Sequence, residues 1–92
     1  MIAIHPGRVL KRELVTRELS ANQLALALSV PSGRIVDIMN GKRGITADTA
    51  LRLGRYFGNN PQFWMNLQSQ YDLAVASNEY GERIKSEVRL SA

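Results

Sequence analysis

Apolar residues recur at intervals of three and four along most of the chain, which is the pattern of amphipathic α-helices. In the first such segment Val9, Leu10 and Leu14 share one face, and the basic residues lie mostly off it. The segments are separated by short runs that contain Pro, Gly, Ser or Asn, residues that begin and end helices. The pattern predicts five helices, beginning near Pro6, at Ser20, near Pro31, at Thr46 and at Asn60-Pro61, with the third ending near Met39, the fourth at Phe57 and the fifth at about Ser77.

Residues 20–45 contain two short predicted helices joined by a tight turn. Ser20 and Gln23 form a capping box, in which the serine oxygen accepts from the amide three residues on and the glutamine reaches back. Pro31 cannot continue the first of these helices but can begin the second. Asn40-Gly41 ends the second, because both residue types tolerate left-handed backbone. This arrangement predicts a helix-turn-helix whose second helix enters the DNA major groove.

One face of this second helix packs inward through Ile35, Ile38 and Met39, and the opposite side is free to meet base edges. A serine there can bond to several bases, a glycine lets the backbone approach closely, and a valine can pack on a thymine methyl. Arg34 either bridges a guanine or holds a phosphate. Asp37 either accepts from cytosine, orients Arg34 on the same face, or is a solvated charge. The residues expected at the DNA are Ser32, Gly33, Arg34, Val36, Asp37 and Asn40.

Contacts to DNA phosphates are expected on either side of this helix. Lys42 and Arg43 follow its end, where contacts to the DNA backbone would fix the register of the protein without reading sequence. Ser20 and Gln23 lie at a helix N-terminus, whose free amides also suit a phosphate. Capping alone explains both residues as well, and the two roles are compatible.

The charge of the chain is unevenly placed. Residues 1–55 contain nine Lys or Arg and four Asp or Glu, which gives +5, whereas residues 56–92 contain three and four, which gives −1. A basic first half suits a polyanion, although a solvated surface explains the same imbalance. Arg52 and Arg55 in particular are expected on a solvated face of helix four.

Composition excludes or disfavours several classes of function. The chain has no Cys and one His, so thiol catalysis and Cys-based zinc sites are excluded, and we expect neither a metal nor another cofactor. His5 is expected to help helix one begin rather than to titrate for function. No phosphate-binding Gly loop and no evident acid pair support an enzyme. No apolar run approaches the roughly 20 residues of a membrane span, and the first residues lack a signal peptide's basic leader, so we expect a cytoplasmic protein.

Helix five carries apolar residues at helical spacing but no Lys or Arg up to Ser77. Its aromatic residues are therefore expected in a core or a subunit interface, because surfaces on which bases stack mix aromatic with basic side chains. The 92 residues divide into a DNA-binding domain at 1–77 and an extension at 78–92 that forms a tail, a short helix or a strand. So short a chain has a modest core, which makes a second subunit plausible. Two copies are expected to meet through Trp64, Tyr71, Val75 and Ile84.

The most distinctive segments are His5-Pro-Gly7, Ile35-x-x-Ile38-x-Asn-Gly-Lys-Arg-Gly-Ile-Thr46, Ala50-x-Arg-Leu53, Tyr56-Phe-Gly58, Phe63-Trp-Met-Asn-Leu-Gln68 and Tyr71-Asp-Leu73. Together they resemble the HigA (VapI-like) antitoxins, a branch of the Xre-type helix-turn-helix repressors, over about residues 5–76. Two positions depart from the wider family: Ala21 stands where Gln is frequent, and Ser29 stands where Gly is frequent in the turn. A serine held there at positive φ costs about 1 kcal/mol relative to glycine.

The resemblance implies an all-α, five-helix, lambda-repressor-like helix-turn-helix fold that is usually a homodimer. It implies binding to a palindromic double-stranded DNA operator in the promoter of the protein's own operon. It also implies a cognate toxin, typically a RelE-like ribonuclease that cleaves messenger RNA on the ribosome and is blocked by the antitoxin. By position, bases would be read by Ser32, Gly33 and Asp37, and phosphate or flanking contacts would come from Arg34, Lys42 and Arg43.

Two other functions stay open at this point. One is a stand-alone Xre-type transcriptional repressor without a toxin, for which the neighbouring reading frame would be informative. The other is a protein-binding adaptor with weak DNA binding, because Gly33 and Asp37 make a weak reading face.

Overall fold

A computed structural model describes residues 1–91 of the chain and contains five α-helices and no strand within them. The all-α, five-helix prediction is therefore confirmed. No helix in this part of the chain is both long and apolar enough to cross a membrane. The helices are α1 (Pro6–Arg17), α2 (Ala21–Leu28), α3 (Ser32–Met39), α4 (Ala47–Phe57) and α5 (Pro61–Glu87).

The helix starts follow from local sequence. His5 caps α1, since its Nδ1 accepts a hydrogen bond from the Gly7 amide at 2.9 Å and Pro6 is the first helical residue. Ser20 accepts from the Gln23 amide at 3.0 Å, and the Gln23 side chain accepts from the Ser20 amide at 2.9 Å. The predicted role of His5 and the predicted capping box are therefore both confirmed.

The core lies where α1, α2, α3, α4 and the first half of α5 meet. Helices α1 and α3 approach so closely that a Cβ on Gly7 would overlap the carbonyl oxygen of Ile38. Only glycine leaves room for this crossing. The largest side chains that are fully buried are Trp64, Leu10, Leu24, Ile35, Ile38 and Leu53.

Trp64 belongs to this core. Its side chain has no exposed surface, and its Nε1 donates a hydrogen bond to the Asn59 side-chain oxygen at 3.0 Å. The rings of Phe57 and Phe63 lie against it, with centroids 5.8 Å and 5.1 Å away. The prediction that Trp64 contacts a second copy is therefore wrong, because a side chain buried within one protomer has no surface to offer another.

Helix α5 does not end near Ser77 as predicted but continues to Glu87. Residues 78–87 are polar yet contain strong helix formers and no proline, and Arg83 pairs with Glu87 one turn on at 2.8 Å. The chain start also holds this region, because Asn78 makes hydrogen bonds of 3.0 and 2.7 Å to the amino group and carbonyl of Met1. The helix crosses residue 77 without a break. The division into a DNA-binding domain at 1–77 and an extension at 78–92 stays a prediction.

Ser29, which ends α2, has left-handed backbone with φ 59° and ψ 46°. The predicted strain is therefore present, because a Cβ in this region clashes with the neighbouring carbonyl. We expect Ser29→Gly to raise the free energy of unfolding by about 1 kcal/mol, measured by urea denaturation. Ser29→Ala, which keeps the Cβ, is the control and should bring no such gain; equal stability of the two variants would contradict the strain.

Candidate nucleic-acid interface

Helices α2 and α3 form the predicted helix-turn-helix. The turn between them closes through a hydrogen bond of 3.0 Å from the Val30 amide to the Ala25 carbonyl. Ile35 and Ile38 of α3 are fully buried, so the opposite side of α3 faces solvent. Of the residues predicted to contact DNA from this helix, four are exposed and two are half-buried. The exposed ones are Ser32, Gly33, Val36 and Asn40, and the half-buried ones are Arg34 and Asp37.

The N-terminal half of α3 is the barest part of this surface. A Cβ added to Gly33 would meet no atom within 4 Å, so the structure of the chain does not require glycine there. Val36 beside it is 41% exposed, although burying a valine would be favourable. Both observations fit a surface shaped for close approach of another molecule.

The turn after α3 presents two cations at the edge of this surface. The amides of Lys42 and Arg43 donate to the Asp37 carbonyl at 2.8 and 3.2 Å, which fixes the backbone while both side chains remain exposed. On its other side the loop is held by Gln68 of α5, whose Oε1 accepts from the Ile45 amide at 2.7 Å. Gln68 is a supporting residue that sequence reasoning missed, because it lies 23 residues from its partner.

Arg34 is paired with an acid of α4. Its Nη1 lies 3.1 Å from the Asp48 carboxylate, so of the three roles left open for Asp37 the structure does not show the orienting of Arg34. The same Asp48 oxygen lies 3.0 Å from Nε of Arg52, whose Nη1 donates to the Leu28 carbonyl at 2.8 Å. The predicted solvated face fits the exposed Arg55 but is incomplete for Arg52, whose side chain is 40% exposed and also caps the C-terminal end of α2.

The electrostatics of Asp48 follow from these contacts. The hydrogen bond from Arg52 lowers the pKa of this carboxyl below its usual value, with a smaller contribution from Arg34. Asp48 is therefore ionised at neutral pH and places a negative charge between Arg34 and Arg52. The sequence did not predict this role of Asp48, because it lies fourteen residues from Arg34 and local sequence patterns do not pair residues so far apart.

The predicted phosphate contacts of Ser20 and Gln23 lie at the exposed start of α2. The capping box uses Ser20 Oγ and Gln23 Oε1 as acceptors, so the Ser20 hydroxyl proton and the Gln23 side-chain NH2 are not used by it and can still donate. The amides of the first helical turn have no partner within a helix and remain the groups suited to a phosphate. A phosphate role for this helix end is thus compatible with the capping and stays a prediction.

Helix α5 carries a row of exposed apolar side chains that faces away from the core. Tyr71 and Val75 of the predicted dimer contact are half-buried, and the Tyr71 ring meets the His5 ring edge-on at 4.8 Å. Ile84 is 51% exposed. Sequence reasoning missed three members of this row: Tyr80 and Val88 lie beyond the predicted end of the helix at about Ser77, and Leu73 was not assigned to the contact. The exposed row consists of Leu73, Tyr80, Ile84 and Val88.

The His5 cap predicts a dependence of stability on pH. Burial lowers the pKa of His5 below its usual value, outweighing Asp72 and the Arg43 backbone, which act in the opposite direction. The unfolded chain therefore binds the proton more readily, so the contribution of His5 is complete above about pH 6.5 and is lost as pH falls below it. We expect the Tm to drop between pH 7.5 and 5 by more in the native chain than in His5→Asn, whose cap does not titrate. Parallel melting curves of the two proteins would contradict this.

Residues 1–91 hold no group of three or more His, Asp or Glu side chains placed to bind a metal. What the structure does contain is a capped helix, a left-handed turn and a second helix that is bare on one side and flanked by exposed cations. These features define the helix-turn-helix class of proteins.

Comparisons with known proteins narrow this class to one family. Virulence-associated protein I of Dichelobacter nodosus is 54% identical over 80 residues, which are 86% of this chain and 74% of the relative. The chain belongs to the HigA family of antitoxins. No family model matches the sequence.

Two solved structures are similar over nearly the whole chain. An addiction module antidote protein of the HigA family from Coxiella burnetii is 49% identical with a TM-score of 0.95, covering 99% of this chain and 100% of that one. The Pseudomonas aeruginosa antitoxin HigA, solved with the higBA promoter, is 46% identical with a TM-score of 0.95 and the same coverage.

Proposed function

We propose that this chain is an antitoxin that binds the operator of its own operon as a dimer and neutralises a toxin. The observation that carries the DNA-binding half is the bare N-terminal half of α3 around Gly33, beside the exposed Lys42 and Arg43. The similarity to an antitoxin solved with its promoter supports the same role.

In this proposal α3 lies in the major groove with its N-terminal half against the bases. Ser32, Gly33, Val36, Asp37 and Asn40 meet base edges, where hydrogen bonds and apolar contacts carry sequence information. The turn after α3 and the start of α2 hold phosphates on either side, which fixes the register. The cytoplasm is the compartment in which such a protein meets DNA.

A dimer sets the spacing of the site. The exposed row on α5 is the apolar surface that a second copy would cover. At about 100° per residue, Tyr71 and Val75 lie on the opposite side of the helix from this row, on the side of the buried Trp64, so they are not part of that surface. Two copies related by a two-fold axis place their α3 helices in successive major grooves about 34 Å apart. Hydroxyl-radical footprinting should therefore show two symmetric protected half-sites about one helical turn apart, whereas a single protected patch would contradict the dimeric arrangement.

The placement of phosphate contacts gives a direct prediction. We expect Arg34→Ala and Lys42→Ala each to weaken operator binding by about threefold to tenfold, and to make its dependence on salt shallower by about one counterion. Fluorescence anisotropy at several salt concentrations measures both quantities. Lys85→Ala, an exposed cation near the end of α5, should leave them unchanged. If Arg34→Ala and Lys42→Ala both behave as Lys85→Ala does, the proposed interface is misplaced.

The toxin half of the proposal is a RelE-like ribonuclease encoded beside this chain. Its test is co-expression: the neighbouring reading frame expressed alone should arrest growth and cleave messenger RNA, and expression of this chain should restore growth. The two proteins should then copurify as a complex. A neighbouring frame with no toxicity, together with intact operator binding, would identify a stand-alone repressor, and absent DNA binding with tight protein binding would identify an adaptor.

A further inference from the structure

A cleft lies between the turn of the helix-turn-helix and the start of α4. It has a volume of about 410 Å³ and is open to solvent. Ser29 and Val30 of the turn and Arg34 of the first turn of α3 form part of its wall, so the cleft adjoins the start of α3. Its polar lining combines three guanidinium groups and three hydroxyls, from Arg34, Arg43, Arg52, Ser29, Thr46 and Thr49.

The cleft already holds one negative group of the chain itself. One oxygen of Asp48 lies 3.1 Å from Arg34 and 3.0 Å from Arg52. This carboxylate is 57% exposed, so water or another anion can reach the same guanidinium groups. Each guanidinium has five N–H donors, and the described hydrogen bonds use only one of Arg34 and two of Arg52. The cleft therefore has donors left for a second anion.

The charge balance of the cleft favours an anionic occupant. Three arginines face one carboxylate among its lining residues, which leaves an excess of two positive charges. Guanidinium groups and hydroxyls are the groups that bind phosphate oxygens, and guanidinium binds them in a fixed, forked geometry. Because the cleft adjoins the reading helix, the phosphates of bound DNA are the anions that come nearest to it.

We propose that this arginine cleft receives a phosphate of the DNA backbone and that Asp48 is a built-in competitor for that phosphate. The inference rests on the proposed DNA binding and adds a site and a residue to it. In the free protein Asp48 holds Arg34 and Arg52 in place. In the complex the phosphate binds the remaining N–H donors of these two arginines, and the negative charge of Asp48 repels it. Asp48 therefore weakens binding to every DNA sequence alike, because phosphate contacts carry no sequence information.

The test is anisotropy titration of Asp48→Asn, Asp48→Glu and the native chain against an operator duplex and a scrambled duplex at several salt concentrations. Asp48→Asn should bind both duplexes about threefold to tenfold more tightly, with a steeper salt dependence and an unchanged ratio between them. Asp48→Glu keeps the negative charge and should resemble the native chain. Melting curves establish folding, and Asp48→Ser replaces Asp48→Asn if the latter is unfolded.

Two comparisons separate the cleft from a general effect of charge. Glu13→Gln removes the same charge from a similar exposed ion pair with Arg17 on α1, and it should change affinity much less. In an Arg34→Ala background the gain in affinity from Asp48→Asn should be smaller, because one of the two arginines for which Asp48 and the phosphate compete is absent. Equal gains from Glu13→Gln and Asp48→Asn, or weaker binding by Asp48→Asn, would overturn the inference. Failure of the native chain to distinguish the two duplexes would instead overturn the proposed function.

Discussion

Gly7→Ala should destabilise the protein by about 3 kcal/mol, because the added Cβ overlaps the Ile38 backbone carbonyl where α1 crosses α3. Backbone on both sides cannot give way as a flexible side chain would, so the two helices must separate. Gly33→Ala is the matched control, since both glycines are the second residue of a helix and a Cβ on Gly33 meets nothing within 4 Å. It should leave stability unchanged or raise it by up to about 1 kcal/mol.

Urea denaturation of the two variants and the native chain measures these differences. The crossing of α1 and α3 also sets the position of the reading helix, so Gly7→Ala should weaken operator binding even where it remains folded. Equal stability of Gly7→Ala and Gly33→Ala would show that the two helices do not approach as closely as described.

A substitution at Gly33 separates folding from function most sharply. Gly33→Glu places a longer, negatively charged side chain on the bare part of α3, at a position where an added Cβ meets no atom within 4 Å. We expect the Tm to remain within a few degrees of the native value and operator affinity to fall about a hundredfold, because the new carboxylate meets both base edges and phosphates. Gel-shift titration against the operator measures the loss.

The control for this prediction is Thr16→Glu, which adds the same charge at an exposed position of α1. Its loss of affinity should be a few-fold at most, through the change in net charge alone. If Thr16→Glu and Gly33→Glu reduce affinity equally, the effect is one of overall charge and α3 is not the reading helix.

The parts of the fold that local sequence determines were predictable. Capping residues act on amides two or three positions away, so Ser20 with Gln23 and Thr46 with Thr49 mark helix starts that the structure confirms. The continuation of α5 to Glu87 was missed because residues 78–87 are mostly polar and include Gly81, although they contain no proline and allow i, i+4 pairs such as Arg83 with Glu87. Polar composition alone does not distinguish an exposed helix from a tail.

The interface was predictable in outline but not in its pairings. The periodicity of α3 determines which side faces the core, so the bare side around Gly33 and Val36 followed from the sequence. The partner of Arg34 did not, because Asp37 is close in sequence whereas Asp48 is close only after α4 packs beside the turn. The burial of Trp64 within one protomer could not be predicted either. Helical spacing places an aromatic side chain on one face of a helix, but it does not show whether the core or a second copy covers that face.

Three contacts with the rest of the fold hold the helix-turn-helix and the loop after it in position. Close contact at Gly7 positions α3 from one side, and Arg52 holds the end of α2 from another through its bond to the Leu28 carbonyl. Gln68 fixes the loop that carries Lys42 and Arg43. Of these three contacts only the one made by Arg52 involves a residue with a proposed role at the DNA, and none of them uses the exposed side of α3.

The proposed function depends above all on recognition of a specific DNA sequence by this chain. Its most direct test is anisotropy titration of the purified chain against the DNA upstream of its own gene and against a scrambled duplex, at about 50 and 200 mM salt. We expect binding at least about a thousandfold tighter to the upstream DNA, with a steep loss of affinity at the higher salt. Equal affinity for the two duplexes, or no binding to either, would contradict it.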